Sequence, residues 1–335
     1  MKTDQFDYSL PEGFIAQYPP CERGKSRLLV LDRNTGLTQH SRFDRIVDHV
    51  HPGDVLVLNE TKVIPARLPG TRYDTGGKVE LLLLREVSDN LWEALAKPGK
   101  KAKEGTRIVF EEQGECEILE VLDSGKRVVR FEGDVRRLIS HVGRVPLPPY
   151  IERDPEEVDT ERYQTVFARN DGSVAAPTAG LHFTEEILAT VGEIAQVVFI
   201  TLHVGVGTFR PIRSEELGEH QMDVEHYEIP PEAAEKINSA AGKRIAVGTS
   251  VVRTLEDSGA SGRVKAGPGQ ADLFIYPSHR FRVVDQLITN FHLPRSTTFI
   301  LTAAFAGLDR LKSAYMEAMG KGYRFYSYGD AMLIV

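Results

Sequence analysis

Cysteine is scarce in this chain. The two that occur, Cys21 and Cys116, lie far apart and form no CxxC. That excludes a disulfide framework and a cysteine-based zinc site, and it points to reduced intracellular thiols. No apolar run approaches the ~18 residues that a membrane span needs. The start, MKTDQFDYSLPEGF, has no basic segment followed by an apolar one, so no secretory signal is expected and a cytoplasmic location follows. Several catalytic signatures are also missing: there is no HExxH, no Walker loop and no GxSxG.

An excess of positive charge is absent too. The formal net charge is −7, which argues against a general nucleic-acid binder and leaves room only for a local basic surface. Two runs qualify. Lys97, Lys100, Lys101, Lys103 and Arg107 fall close together with Glu104 the one acid among them. Lys126, Arg127, Arg130, Arg136, Arg137 and Arg144 follow, against Glu132 and Asp134. Such runs are commonly plain solvated surface, and a phosphate-contacting patch is the alternative.

What is present is an ordinary globular composition, with 41% hydrophobic and 27% charged residues over 335 positions. The length suggests two domains with ample core. RLLVLD (27–32) and DVLVLNE (54–60) read as strands, with a helix near 43–50. Between 71 and 132 short β-like runs recur, VELLLLRE, LWEALA, TRIVF, ECEILEV and KRVVRFE, with turns between them. That spacing predicts a small barrel or sandwich. DVRRLISHV (134–142) has helical spacing, and VPLPPYI (145–151) is a proline-set connection. Beyond 160, helix-like and strand-like segments alternate: TEEILATV, AQVVFITLHV, PPEAAEKINSAAG, KRIAVGTS, DLFIY, QLITNF and STTFILTAAFAGL. GASGRVKAGPGQ (259–270) reads as a flexible loop. The expected fold is therefore α/β: a layered domain with a mostly parallel or mixed sheet (1–70 and 150–335), interrupted by a β-barrel-like insert (71–149).

Ligands in such folds gather where strands end. RIAVGTSVVRTLE (244–256) runs strand, Gly-Thr-Ser, helix, and free N–H groups at a helix start suit an anion or a polar ligand edge. FITLHVGVGTFRP (199–211) ends a strand at His203 and continues through Gly205, Gly207 and Thr208; it is not a dinucleotide fingerprint, because Arg210 takes the third glycine position. His182, His203 and His292 each close an apolar run beside a Gly or Pro. Each suits a satisfied core position; together they suit metal ligation or acid–base work. VAAPTAGLHFT (174–184) is too broken for a strand and too uncharged for an ordinary surface loop. The aromatic C-terminus, YRFYSYGDAMLIV, reads either as a chain end packed on the sheet or as a base-stacking surface with Asp330 as hydrogen-bond acceptor.

Beyond these separate features, the chain as a whole resembles the S-adenosylmethionine:tRNA ribosyltransferase-isomerases of queuosine biosynthesis. The resemblance runs through DYSLPEGFIAQYP, SRLLVLDR, GDVLVLNETKVIPARL, VPLPPYI and ERYQTVFA, and is most specific in VAAPTAGLHFT, TLHVGVGTFRPIR, AVGTSVVRTLE, LITNFHLPRST and YRFYSYGDAM. Departures are Asp223 in DVEHY, where the family often has histidine, and Ser250, where it has a second threonine. Residues 72–145 match loosely.

The resemblance implies an α/β domain with a β-barrel and a reaction in which S-adenosylmethionine donates its ribosyl group. The acceptor is 7-aminomethyl-7-deazaguanine at the tRNA wobble position, and the products are epoxyqueuosine, adenine and methionine. The sulfonium acidifies C5′ and serves as electron sink, so no cofactor and no metal are expected. His182 is expected as the general base, kept neutral by its apolar loop. His203 and His292 are expected to protonate departing adenine or orient the acceptor. Asp330 would bind or deprotonate the aminomethyl group. Arg253 would pair the methionine carboxylate. Thr178, Ala179, Gly180, Gly205, Gly207, Thr208, Thr249, Ser250 and Tyr328 are expected to line the substrate site. The enzyme is expected to work as a monomer on tRNA, away from membranes. Two rival classes are a histidine-based metal hydrolase and a non-catalytic RNA-binding module.

Overall fold

The computed structural model describes every residue except 112, 206 and 208–211. The chain opens with a hairpin of β1 (Arg27–Leu31) and β2 (Thr38–Arg42), then β3 (Val55–Asn59) and β4 (Thr61–Val63). β5 (Arg67–Arg72), β6 (Lys78–Ser88), β7 (Leu91–Lys97), β8 (Arg107–Val109), β9 (Glu115–Val121) and β10 (Arg127–Phe131) close an antiparallel barrel in the order β10-β7-β6-β5-β8-β9. The alternation that predicted these strands is visible in the burial of β6, where Val79, Leu81 and Leu83 point inward. With Trp92, Ile108, Phe110 and Ile118 they form the barrel's own core. Helix α1 (Val135–Val142) packs onto it through Val135, Leu138 and Ile139, capped by Asp134, whose side chain accepts from the Arg136 and Arg137 amides.

α2 (Glu157–Arg162) and β11 (Asn170–Ser173) follow, and β11 pairs with β4. The rest of the chain is α3 (Glu185–Ile194), β12 (Gln196–Leu202), β13 (Glu225–Ile229), α4 (Pro231–Asn238), β14 (Arg244–Val247), α5 (Thr249–Ser258), β15 (Gly267–Ala271), β16 (Gln286–Asn290), α6 (Thr297–Ala306), α7 (Leu308–Gly320) and β17 (Ala331–Ile334). Nine strands make one mixed sheet in the order β15-β13-β12-β3-β14-β16-β17-β1-β2. Its centre, β12-β3-β14-β16, is parallel. These strands are apolar along their length because both faces are covered. One face meets Val251, Leu255, Phe299, Leu311 and their neighbours from α4 to α7. The other meets Phe43, Phe183, Ile187 and Val191.

Two expectations are corrected. DLFIY does not form a strand; the strand lies just before it, in GPGQA, within the segment read as a flexible loop. β15 pairs antiparallel with β13, and Gly269 sits where any side chain would strike the Tyr227 ring. The glycine that looked like a loop signal is thus a close-approach residue in a strand. Residues 43–49 are helical, as expected near 43–50, but wound as a 3₁₀ helix.

Candidate active site

The parallel centre of the sheet places the C-terminal ends of β12, β14 and β16 on one edge, and a cleft opens there. It holds about 820 Å³ of open space, its solvent mouth included. Its wall comes from Ala176–Ala179, Val204, Gly248–Ser250, Leu273–Ile275, Thr289, Asn290, His292 and Tyr326. The surface is mostly apolar with a few polar groups, as ligand sites commonly are.

Each wall segment has a local reason. β14 ends at Val247, and Gly248 turns the chain with φ +94°, a conformation that favours glycine. α5 therefore starts abruptly, without a side-chain cap, and its first turn lines the cleft. Thr249 and Ser250 stand there as expected. α6 starts at Thr297 with Ser296 as cap, its hydroxyl accepting from the Phe299 amide at 3.2 Å. VAAPTAGLHFT crosses under the cleft as a buried segment with one 3₁₀ turn at Thr178–His182. Thr178 and Ala179 face the cleft. Gly180 faces away, packed against Thr165 and Phe167.

The three histidines do not share a site. His292 lines the cleft. Thr302 donates its hydroxyl to the Thr298 carbonyl, so it accepts from His292 Nδ1 at 3.2 Å, and Nε2 faces the Thr289 hydroxyl at 3.2 Å. Burial pushes this imidazole down to about 3. His182 lines a second, small opening with Leu181, Tyr328 and Gly329. Its Nδ1 meets Ser26 Oγ at 2.7 Å and its Nε2 accepts from Asn290 Nδ2 at 3.1 Å. It too is lowered to about 3, by burial and then by Arg324 and Arg23. The expected neutrality is present, but both ring nitrogens are engaged. His203 lines neither opening; its Nδ1 meets Thr61 Oγ1 at 2.8 Å. Among the described residues, no group of three or more His, Cys, Asp or Glu is placed to hold a metal ion.

The other expected residues divide similarly. Asp330 is buried and braces the chain end: its carboxylate accepts from the Arg27 and Arg324 amides, each at 2.8 Å. Tyr328 donates to Asp159 Oδ1 at 2.7 Å, outside the cleft. Arg253 lines the cleft, but its guanidinium bonds to Glu225 and to the Ala271 and Leu273 carbonyls. Glu225 also accepts from the Gly205 amide at 2.9 Å. Its carboxyl is raised by burial, against the pull of Arg253. Gly207 sits against Asp223, and Thr208 lies outside the described residues.

Sequence reasoning passed over Asn290, Thr289 and Glu225. The signal for the first two was a Thr-Asn pair ending an otherwise apolar strand, LITNF. Glu225 gave no signal, because its meaning depends on Arg253, which is distant in sequence.

Fold and cleft together define an α/β enzyme scaffold with a largely uncharged site at its strand ends. The comparisons narrow this. A family model described as queuosine biosynthesis protein matches residues 3–334, and the chain belongs to that family. An S-adenosylmethionine:tRNA ribosyltransferase-isomerase of Acetivibrio thermocellus is 50% identical over 100% of both chains. The one from Clostridioides difficile is 48% identical over 100% of both. The crystal structure of S-adenosylmethionine tRNA ribosyltransferase from Thermotoga maritima aligns with a TM-score of 0.57 at 37% identity, covering 99% of this chain and 100% of that one.

Proposed function

We infer that this chain transfers and isomerises the ribosyl group of S-adenosylmethionine onto 7-aminomethyl-7-deazaguanine at the wobble position of tRNA. The full-length similarity to enzymes of that name carries the reading. The cleft supports it, lying at the strand ends and being largely uncharged.

In this chemistry a base removes the C5′ proton beside the sulfonium and adenine leaves. The aminomethyl nitrogen then attacks C1′, and the epoxide closes as methionine departs. The sulfonium is the electron sink, so the route calls for no metal or redox cofactor. The protein has to move protons, place the reactants and exclude water. We assign the first to His292, which lines the cleft. Among the described residues its Nε2 faces one hydroxyl, that of Thr289, which can rotate away, and the residue is 6% exposed. A proton it takes is poorly held, since burial disfavours the imidazolium. That proton is readily given up, which suits protonation of departing adenine. The first-turn amides of α5, with Thr249 and Ser250, suit the methionine carboxylate. Arg253, braced by Glu225, shapes the wall instead of meeting that carboxylate.

The wobble base must leave the anticodon stack to reach the cleft. Lys97, Lys100, Lys101 and Lys103 are exposed on the barrel, and no ion pair engages them among the described residues; we assign them to tRNA phosphates. Within the second run Lys126, Arg130 and Arg136 face acidic partners. We read the enzyme as a cytoplasmic monomer; no helix among the described residues is long and apolar enough to cross a membrane.

The test is turnover. Purified protein is mixed with S-adenosylmethionine and tRNA bearing the aminomethyl base, with chelator present. Mass spectrometry is expected to show epoxyqueuosine, free adenine and free methionine. Intact donor with tRNA still bound would overturn the reading in favour of an RNA-binding module.

A further inference from the structure

Asn290 ends β16 with its side chain 2% exposed and in the wall of the cleft. Its amide is pinned. Nδ2 donates to His182 Nε2 and to the Tyr326 carbonyl, each at 3.1 Å. Both amide hydrogens are spent, and a flipped amide would set oxygen against oxygen at Tyr326. The carbonyl oxygen Oδ1 is left buried with no partner among the described residues. Buried acceptors without a donor are rare in folded proteins, and each calls for a partner such as a bound ligand or water.

His182 is held in turn. Because Nε2 accepts from Asn290, the imidazole proton sits on Nδ1 and goes to Ser26 Oγ at 2.7 Å. Ser26 is itself 2% exposed, and the Phe43 ring lies 5.0 Å from the imidazole. The result is a fixed row, Ser26–His182–Asn290, that starts in the core and ends in the cleft wall at an acceptor without a partner among the described residues.

We propose that Asn290 is a specificity-determining residue whose Oδ1 accepts a hydrogen bond from an uncharged N–H or O–H on the nucleoside of the donor substrate, and that His182, with Ser26, is a positioning residue that holds it there. This rests on the ribosyl-transfer reading above. The cleft's charged wall residues among those described, Glu225 and Arg253, are paired with each other, so a neutral donor is the fitting partner. Two groups supply that chemistry: the exocyclic amine of the purine and a ribose hydroxyl.

The experiment is steady-state kinetics of His182→Gln, His182→Leu, Asn290→Ala and the His182→Leu/Asn290→Ala double variant, with calorimetric binding of S-adenosylmethionine. Glutamine keeps an acceptor near the Nε2 position and is expected to behave much like the parent. Leucine and Asn290→Ala are each expected to raise KM and Kd for the donor about tenfold, the worth of one neutral hydrogen bond, with the pH profile of kcat unchanged. The double variant is expected to be no worse than Asn290→Ala, since both break the same contact. Melting curves identify a variant that fails to fold; Asn290→Ala then carries the test alone.

Donor analogues separate the sources. If the purine amine is the partner, the parent discriminates against S-inosylmethionine and Asn290→Ala does not. If a ribose hydroxyl is the partner, the same contrast appears with the deoxyribose analogue that lacks it. The proposal is overturned if His182→Gln loses kcat a hundredfold or more and changes the pH profile, which would make His182 the base. It is equally overturned if Asn290→Ala binds and discriminates like the parent. Turnover by the parent upholds the ribosyl-transfer reading whatever the variants do.

Discussion

Arg253 turns its guanidinium onto Glu225 in the wall of the cleft, with both residues 5% exposed. A pair this deep is costly to break from one side, because the survivor is an uncompensated buried charge. Glu225→Gln keeps the shape and removes the charge. It is expected to cost about 3–5 kcal/mol of stability, measured by urea unfolding. Replacing both by apolar residues of similar volume is expected to recover most of that. If Glu225→Gln leaves stability unchanged but weakens donor binding, Arg253 faces the substrate after all.

His182 and His292, both lowered by burial to about 3, make stability depend on pH. The unfolded histidine takes up a proton near pH 6.5 while the folded one stays neutral. The stability they contribute is therefore present above about pH 6.5 and lost as pH falls from there toward 3. Each costs about 1.4 kcal/mol per pH unit within that window. His182→Gln removes one such group. The difference in unfolding free energy between parent and variant is thus expected to shrink by about that slope from pH 6 to pH 5. A constant difference across the window would show that the folded imidazole titrates normally.

The barrel's basic residues are not equivalent. Arg107 and Arg130 pair with Glu115 and Glu117 across neighbouring strands, whereas Lys97, Lys100, Lys101 and Lys103 have no such partners among the described residues. Changing the four lysines to glutamine is expected to weaken tRNA binding. The salt dependence of log Kd should flatten by ~0.7–0.9 per lost phosphate contact. Changing Arg107 and Arg130 is expected to do much less. Filter binding at several salt concentrations measures both. Equal effects, or none, would return the lysine run to ordinary surface.

Much of the scaffold could be read from the chain. The barrel showed itself as short alternating strands, because one face of each is wet. The parallel strands showed themselves as continuous apolar runs, because both faces are dry. β15 was missed because Gly269 serves a close approach to Tyr227 and not a loop. The site was legible as motifs and not as contacts. His182 looked like a base from its neighbours in sequence, yet its partners, Ser26 and Asn290, are 156 and 108 residues away. Asp330 looked available, yet two backbone amides fill its carboxylate. Local composition reports how buried a group is; only the fold reports whether its lone pairs are spent.

Two glycines expected at the substrate separate on this point. A Cβ on Gly180 would lie 2.8 Å from Thr165 Cγ2 and 2.9 Å from Phe167 Cζ, on the side away from the cleft. Gly180→Ala therefore overpacks the core, and a loss of about 1–3 kcal/mol is expected. A Cβ on Gly205 would have, among the described atoms, only Glu225 Oε1 near it, at 3.9 Å. Gly205→Ala is thus expected to leave the melting temperature nearly unchanged. If it nonetheless abolishes turnover, the substrate approaches that backbone closely, as the motif suggested. If turnover also survives, the substrate does not approach the Gly205 backbone closely, and it passes on the Thr178 and Ala179 side of the cleft.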